Sequence, residues 1–328
     1  MKNINWGIIG CGDVTELKSG PAFNKIEGSC LKAVMRRNAE KAKDYALRHQ
    51  VPLWFSNADE LIIHPEVNAI YVATPPDSHA EYAIKAMRAG KPVYVEKPMG
   101  ANLEQCLRML EVSKSTDIPL FVAYYRRTLP GYLKVKELID NGVIGKPIAV
   151  KIELIRPVLD SERQGGNGWW RVDPKLSGGG IFVDLASHQF DFLDFLFGPI
   201  KQSHGFCRNV GGMYSAEDTV VATFEHDNGV IGAGSWCFVS NPVSQRDVME
   251  IHGTEGRIVF TGFGHSPIQL HTASGFVEFP YINPENIQYN LIKQVVETLQ
   301  GRGACVSTGN SAIRTNMVIA NILSDFYK

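Results

Sequence analysis

The segment spanning residues 7–15 constrains the fold of this chain more than any other stretch. It reads Gly-Ile-Ile-Gly-Cys-Gly-Asp-Val-Thr, an apolar run that predicts a buried strand, followed by glycines that predict a tight turn into a helix. Gly10 would supply the turn, and Gly12 would let the backbone approach a pyrophosphate at the start of that helix. Thr15 stands where this motif has its third glycine. A strand–turn–helix without any ligand has the same local pattern, so the rest of the chain must decide.

Length and composition narrow the class of protein. A chain of 328 residues predicts two domains, and 44% hydrophobic with 20% charged residues is typical of a globular protein. The net charge of -1 provides no field to attract nucleic acid or an anionic membrane, so neither partner is expected. The six cysteines are scattered and form no cluster with histidine, which predicts no metal site and no disulfide framework. No apolar run approaches the ~20 residues of a membrane helix, and a signal peptide is not expected, so we expect a cytoplasmic location.

The N-terminal part of the chain alternates predicted strands and helices. The predicted strands are 4–9, 31–35, 53–55, 69–73, 92–96 and 120–123, and the clearest helices between them are 39–49, 78–89 and 103–115. This alternation predicts an α/β domain with a doubly wound parallel sheet over residues 1–124.

The pattern changes after residue 125. A helix at 132–141 is followed by predicted strands at 148–155, 218–225, 230–238, 248–252 and 257–260, and helices at about 284–299 and 311–326 close the chain. Asn228-Gly229 between two alternating runs predicts a hairpin. We therefore predict a second α/β domain over 125–328 with an open, mostly antiparallel sheet, and a final helix that packs back on the first domain.

Two arginines follow the second predicted strand. In an NAD-specific fold an acidic residue stands there, about 20 residues beyond the glycines, and accepts a hydrogen bond from the ribose 2′-hydroxyl. This chain has Arg36 and Arg37 instead. A guanidinium suits a 2′-phosphate, which favours NADP over NAD as the cofactor. The alternative is a pair of solvated surface arginines.

Polar residues also follow the fourth and fifth predicted strands, where parallel sheets bind ligands. Thr74 and Pro75 could wall the nicotinamide ribose, while His79 is either a ligand contact or a residue that caps its own helix. Lys97 would face the crevice and donate to a substrate oxygen as alkoxide character builds on it. The alternative for Lys97 is an exposed loop lysine paired with Glu96.

A glycine triplet at 178–180 precedes a strongly apolar predicted helix in the second domain. Asp184 and His188 lie four residues apart and share one face of this helix. Histidine can accept a proton near neutral pH, and a carboxylate one turn away can orient it. The glycines would permit close approach of backbone and ligand. The alternative is a structural Asp–His pair at the edge of the core.

Taken together, these motifs make the chain resemble the glucose–fructose oxidoreductase / inositol dehydrogenase / MocA (Gfo/Idh/MocA) family. The matching motifs are Gly10-x-Gly12, Ala73-Thr74-Pro75-Pro76-x-x-His79, Ala89-Gly90-Lys91-Pro92-Val93-x-x-Glu96-Lys97-Pro98 and Gly178-Gly179-Gly180 leading to Asp184-x-x-x-His188. The resemblance implies a Rossmann domain, a C-terminal α/β domain with a large, mostly antiparallel sheet that is often a subunit interface, NAD(H) or NADP(H), and a sugar, cyclitol or related polyol as substrate.

The resemblance also implies roles for individual residues. The catalytic residues would be Lys97, His188 and Asp184. The cofactor would be held by Gly10, Gly12, Asp13, Val14, Thr74, Pro75, His79 and Glu96. Arg36 and Arg37 join this set from their own chemistry, since Arg36 departs from the acidic residue that the family has there. The substrate would lie against Tyr125, Arg126, Trp169, Trp170 and Arg171.

We therefore expect an NADP(H)-preferring oxidoreductase acting on a hydroxyl or ketone of a sugar, sugar acid or cyclitol. Two alternatives stay open: an enzyme that retains NAD and cleaves glycosidic bonds through a transient ketone, and a non-catalytic dinucleotide sensor. By analogy with the family, the expected assembly is a homodimer or homotetramer formed through the C-terminal sheet.

Overall fold

The computed structural model describes all 328 residues. Its internal contacts divide the chain into two compact units: Met1–Arg127 with Pro284–Ile313 form unit 1, and Thr128–Asn283 with Arg314–Lys328 form unit 2. Thus the chain returns to unit 1 at residue 284, before its last two helices. None of the helices combines the length and apolarity of a membrane span.

Unit 1 is built on a six-stranded parallel sheet, as the alternating pattern predicted. In chain order its elements are β1 Ile4–Ile9, α1 Asp13–Leu17, β2 Ser29–Met35, α2 Ala39–Arg48, β3 Leu53–Phe55, α3 Ala58–Ile63, β4 Ala69–Val72, α4 His79–Arg88, β5 Val93–Val95, α5 Leu103–Thr116 and β6 Leu120–Val122. The strand order is β3-β2-β1-β4-β5-β6, the doubly wound arrangement with its crossover next to β1.

Both faces of this sheet are covered, because the central strands are apolar on both sides. Alternate residues enter two separate clusters: Ile9, Val72 and Val95 lie in one, and Trp6 and Tyr71 in the other. The second cluster also contains four apolar residues of a helix near the C-terminus, Leu291, Ile292, Val295 and Val296. That helix therefore completes one face of the unit 1 core.

Unit 2 contains the second sheet. The remaining elements in chain order are α6 Pro130–Asp140, β7 Pro147–Ile155, α7 Pro174–Ser177, α8 Ile181–Phe197, β8 Ile200–Arg208, β9 Thr219–His226, β10 Ile231–Cys237, β11 Arg246–Gly253, β12 Gly256–Phe260, β13 Ile268–Thr272, β14 Gly275–Phe279, α9 Tyr289–Leu299 and α10 Gly309–Leu323. The strand order is β14-β13-β12-β11-β7-β10-β9-β8. Only β7 and β10 pair in parallel, which confirms the mostly antiparallel sheet.

Aromatic residues pack α8 onto this sheet. Phe182 and Phe190 of the helix contact Trp236 of β10, with ring centroids 5.0 and 5.7 Å apart. The hairpin predicted at Asn228-Gly229 joins β9 to β10, and Gly229 adopts the left-handed φ of +87° that such a turn demands. The sheet thereby supports the helix that carries Asp184 and His188.

Candidate active site

The glycine turn after β1 is open at one position and tightly packed at the other. Gly10 has φ of +94°, and a Cβ there would lie 2.8 Å from the backbone nitrogen of Thr74. A Cβ on Gly12 would meet nothing closer than the Gly10 carbonyl oxygen at 3.8 Å. The space over Gly12 is the cradle that a pyrophosphate needs, so these residues fit a bound dinucleotide.

Thr15 closes the loop in place of a third glycine. Its buried hydroxyl donates to the Gly12 carbonyl at 2.8 Å and accepts from the Gly12 N–H at 3.0 Å. The Gly12 N–H is therefore already bonded within the loop, and what Gly12 offers a pyrophosphate is space. Asp13, which is exposed, and Val14, which is half-buried, form the first turn of α1.

Arg36 reaches from the end of β2 to the glycine turn. Its Nη1 donates to the Cys11 carbonyl at 3.4 Å, and its backbone N–H donates to Phe55 at 3.2 Å. Arg37 beside it is exposed and lines a shallow hollow with Asn57 and Lys85. Arg36 and Arg37 thus lie where an NAD-specific fold has a carboxylate, while Lys85 is paired with Asp59 and Glu81.

His79 connects the two loops that follow β4 and β5. The ring is fully buried, with Nδ1 3.0 Å from the Pro98 carbonyl oxygen and Nε2 2.8 Å from that of Thr74. Burial lowers the pKa of this imidazole. A side chain with no exposed surface does not reach a cofactor, so the predicted direct contact by His79 is corrected to a role in holding Thr74 and Pro98 together.

Glu96 is buried at the end of β5, and its carboxylate is engaged within unit 1. It accepts hydrogen bonds from the Tyr71 hydroxyl at 2.5 Å and from Gln288 Nε2 at 2.6 Å. Tyr94 orients the Gln288 amide by donating to its oxygen at 2.7 Å. The predicted cofactor residue Glu96 therefore stabilises the backbone around the half-buried Lys97, whose own N–H donates to Glu96 at 3.3 Å.

The Tyr-Arg-Arg segment forms a 3₁₀ turn, Tyr125–Thr128, directly after β6. The Arg126 guanidinium lies 5.3 Å from the centre of the Tyr125 ring and is buried. Arg127 donates to the Val306 carbonyl at 3.1 Å. Arg126 and Tyr125 are thus paired with each other at the strand end, as candidates for a polar wall.

In unit 2 the glycines before α8 allow the start of this helix to pack closely against neighbouring protein atoms. A Cβ on Gly180 would lie 2.4 Å from the Glu217 carbonyl oxygen, and one on Gly179 would lie 2.3 Å from Val183 Cγ2. The prediction that these glycines admit a ligand to the helix start is wrong for Gly179 and Gly180, because protein atoms fill that space. They let α8 begin against the segment at Glu217.

Glu217 itself holds the first turn of α8 and was not predicted. Its fully buried carboxylate accepts from the Gly180 N–H at 2.8 Å and from the Tyr327 hydroxyl at 2.5 Å. Burial raises the pKa of Glu217 to about 7. No local pattern indicates this contact, since the two partners lie 37 and 110 residues away along the chain.

Asp184, Arg171 and Trp170 come together in unit 2. Arg171 Nε lies 3.5 Å from Asp184 Oδ2, and the guanidinium stacks 4.5 Å from the centre of the Trp170 ring. Trp169, Trp170 and Arg171 are all half-buried on the 3₁₀ turn Trp169–Val172. The predicted catalytic carboxylate and part of the predicted substrate wall are therefore neighbours.

His188 is buried on α8, one turn beyond Asp184. Its ring centroid lies 6.3 Å from that of Phe263 at an interplanar angle of 67°. Phe263 lies in the loop between β12 and β13, a segment that its sequence gives no reason to connect with α8. The aromatic neighbour of the predicted proton acceptor is thus visible only in three dimensions.

Comparison with known proteins identifies the family to which both parts of the chain are similar. Residues 4–124 match the oxidoreductase family with an NAD-binding Rossmann fold, and residues 132–259 match the GFO/IDH/MocA C-terminal domain. The chain is 42% identical over 295 residues to Oxidoreductase P35 of Formosa agariphila, covering 89% of this chain and 90% of that protein. It is 26% identical to 1,5-anhydro-D-fructose reductase of Ensifer adhaerens, covering 94% and 92% respectively.

Solved structures show the same fold. Levoglucosan dehydrogenase in complex with NADH and levoglucosan matches with a TM-score of 0.88 and 22% identity, covering 98% of this chain and 96% of that chain. With both halves matched by the corresponding family domains and a glycine cradle that fits a dinucleotide, the chain belongs to the GFO/IDH/MocA family of NAD(P)-dependent oxidoreductases.

Proposed function

We propose that this protein is an NADP(H)-preferring dehydrogenase or reductase that acts on a hydroxyl or ketone of a sugar, sugar acid or cyclitol. One observation about His188 carries the proposal. Its imidazole is buried and lies one helical turn from Asp184, and the Asp184 carboxylate is in turn paired with Arg171. Such a pair suits proton transfer at a hydroxyl group. The relatives named for an anhydro-sugar support the substrate class.

The cofactor would be held by unit 1. Gly12 leaves room for the pyrophosphate, Gly10 makes the tight turn before it, and Thr74 and Pro75 form the loop at the next strand end. When bound, the nicotinamide supplies or accepts the hydride. The chain's own residues bind and orient the substrate and move its proton.

Three side chains carry this chemistry. Lys97 donates a hydrogen bond to the reacting oxygen and favours its alkoxide character. His188 takes the hydroxyl proton during oxidation and returns it during reduction. Asp184 orients His188 or binds a neighbouring hydroxyl, and its contact with Arg171 fixes the position of the carboxylate.

The preference for NADP rests on charge at the end of β2. Arg36 is anchored on the Cys11 carbonyl beside the glycine turn, and Arg37 is exposed next to it. A 2′-phosphate there would accept charge-assisted hydrogen bonds, whereas the 2′-hydroxyl of NAD would lack its usual carboxylate acceptor.

The substrate wall would consist of aromatic and cationic side chains. Trp169 and Trp170 offer flat faces to the C–H groups of a sugar ring, and Arg126 and Arg171 offer donors to hydroxyls or a carboxylate. The stack of Arg171 on Trp170 supports this assignment, because it fixes both groups beside Asp184.

The second sheet is proposed as the interface of a homodimer or homotetramer. Phe206 of β8 and Val221 of β9 are cross-strand neighbours, exposed by 79% and 50%, and Ile231 of β10 is 56% exposed. Apolar side chains grouped on one sheet face are typical of a surface that another subunit covers.

The six cysteines are all free thiols, which supports the proposed cytoplasmic location.

A substrate panel tests the proposal. Levoglucosan, 1,5-anhydro-D-fructose, myo-inositol and a set of sugars and sugar acids are assayed at the nicotinamide absorbance band with NADP(H) and NAD(H) side by side. We expect turnover of a carbohydrate-like compound and a preference for NADP(H). Sugar release without net absorbance change would instead indicate a glycosidase, and cofactor binding without any turnover would indicate a sensor.

A further inference from the structure

The loop between β12 and β13 is held by one carboxylate. Asp247 accepts the backbone N–H groups of three consecutive residues: Gly262 at 2.8 Å on Oδ1, and Phe263 and Gly264 at 2.7 Å each on Oδ2. From the other side, the Tyr132 hydroxyl donates to the Gly262 carbonyl at 2.5 Å. Charge-assisted bonds of this length fix the path of the loop.

The same loop is packed closely against α8. A Cβ on Gly262 would lie 3.0 Å from Gln189 Nε2, so the backbone of the loop passes close to this side chain. The Gln189 amide is oriented by Trp236, whose Nε1 donates to its oxygen at 2.7 Å. Because Gln189 follows His188 directly, the loop is fixed in position relative to the proposed proton acceptor.

This arrangement places the Phe263 ring beside the His188 ring, 6.3 Å between centroids. Phe263 is only half-buried, whereas His188 is buried. An aromatic ring at this distance would do two things: it would keep bulk water from the imidazole, and it would present an apolar surface next to the group that would exchange a proton with the substrate.

We propose that Phe263 is a specificity-determining residue and that Asp247 is the positioning residue that holds it. The inference rests on the proposed function, and it names the substrate feature that this part of the site selects. Beside His188 the site favours a neutral polyol ring that presents C–H groups. A substrate with a carboxylate next to the reacting carbon would have to desolvate that charge against the ring.

Kinetics of three variants test this inference with levoglucosan, 1,5-anhydro-D-fructose and myo-inositol as probes. Phe263→Ala should raise KM for the substrate about tenfold or more while kcat and the KM for the cofactor change little, and Phe263→Leu should restore part of the loss. Asp247→Asn should act in the same direction, because its amide turns a donor toward one or more of the N–H groups of the loop. Phe276→Ala, at an exposed aromatic of β14, is the matched control.

A second measurement does not depend on turnover. Acylation of His188 by diethyl pyrocarbonate, followed by mass spectrometry, should be severalfold faster in Phe263→Ala and Asp247→Asn than in the wild type or in Phe276→Ala. Unchanged acylation rates in folded Phe263→Ala and Phe263→Leu would overturn the inference. Normal turnover in His188→Ala would instead overturn the proposed function, while the acylation result would still show whether Phe263 shields the imidazole.

Discussion

The Tyr71 hydroxyl donates a 2.5 Å hydrogen bond to the buried carboxylate of Glu96. This contact crosses from β4 to the neighbouring strand β5, directly before Lys97. Gln288, which comes from the segment before α9, donates to the same carboxylate at 2.6 Å. The backbone that presents Lys97 is therefore fixed by a buried carboxylate group and its donors, and not by the strand pairing alone.

Removing one of those donors should cost stability. Tyr71→Phe leaves a buried carboxylate without one of its partners, which we expect to lower the free energy of unfolding by about 1–3 kcal/mol. Tyr94→Phe is the matched control, since its hydroxyl donates to the neutral amide oxygen of Gln288, and its cost should be smaller. Urea denaturation of both variants measures the difference. Equal losses would mean that the bond to the Glu96 carboxyl group is worth no more than the bond to the Gln288 amide.

Lys97 and His188 are expected to act on the same reacting oxygen. Lys97→Ala and His188→Ala should each lower kcat by about 10²–10⁴-fold, because each removes a group that acts in proton transfer or charge stabilisation. Cofactor titration, followed by nicotinamide fluorescence, should change little in either variant.

The double variant gives the sharper result. Groups that serve one transition state are not additive, so Lys97→Ala/His188→Ala should lose less than the product of the two single losses. Near-normal turnover in either single variant would remove its assigned role, and strictly multiplicative losses would argue against a shared reacting atom.

Arg36 is expected to control the choice between the two cofactors. Arg36→Ser removes charge-assisted bonds worth about 1.5–3 kcal/mol, so KM for NADP should rise roughly 10- to 100-fold while KM for NAD stays the same or falls. Lys43→Ser, which removes an exposed positive charge from α2, is the control for general electrostatics. Initial rates with both cofactors provide the measurement, and an unchanged NADP/NAD ratio in Arg36→Ser would contradict the prediction.

Much of the fold was predictable because each strand of unit 1 carries its own signal. Apolar runs separated by helix-forming segments predict parallel strands locally, and Gly10, with its positive φ, marks the turn within a few residues. The candidate site residues could be placed at strand ends for the same reason, since Arg36, Thr74 and Lys97 all follow predicted strands. In unit 2 the pattern of α8 likewise places Asp184 and His188 on one helix.

What could not be predicted depends on contacts between distant residues. The partners of Glu217 lie 37 and 110 residues away, and Gln288 reaches Glu96 across 192 residues. The hydrophobic periodicity of the sequence gives no indication of such pairs. The same limitation explains the misread glycines at 179 and 180: a glycine permits close approach, but the sequence does not say whether a ligand or a side chain approaches.

Glu217 should make stability depend on pH. Burial raises its pKa in the folded protein from the usual 4.5 to about 7, so the folded state holds this proton more tightly than the unfolded state. Between those two values the folded protein binds more protons, and the free energy of unfolding therefore falls as pH rises. The loss from this one group is on the order of 3 kcal/mol and is complete above the folded pKa.

Glu217→Gln isolates this contribution. The amide oxygen can still accept from the Gly180 N–H, and the amide group can donate to the Tyr327 hydroxyl, but no charge is buried at any pH. Urea denaturation at several values between pH 5 and 8 should therefore give a flatter profile for the variant, with the two proteins diverging as pH rises. Histidines titrate in the same range, yet they are common to both proteins and cancel in the difference. Parallel profiles would show that Glu217 is ionised in the folded state at no cost, in which case the donors at Gly180 and Tyr327 would outweigh its burial.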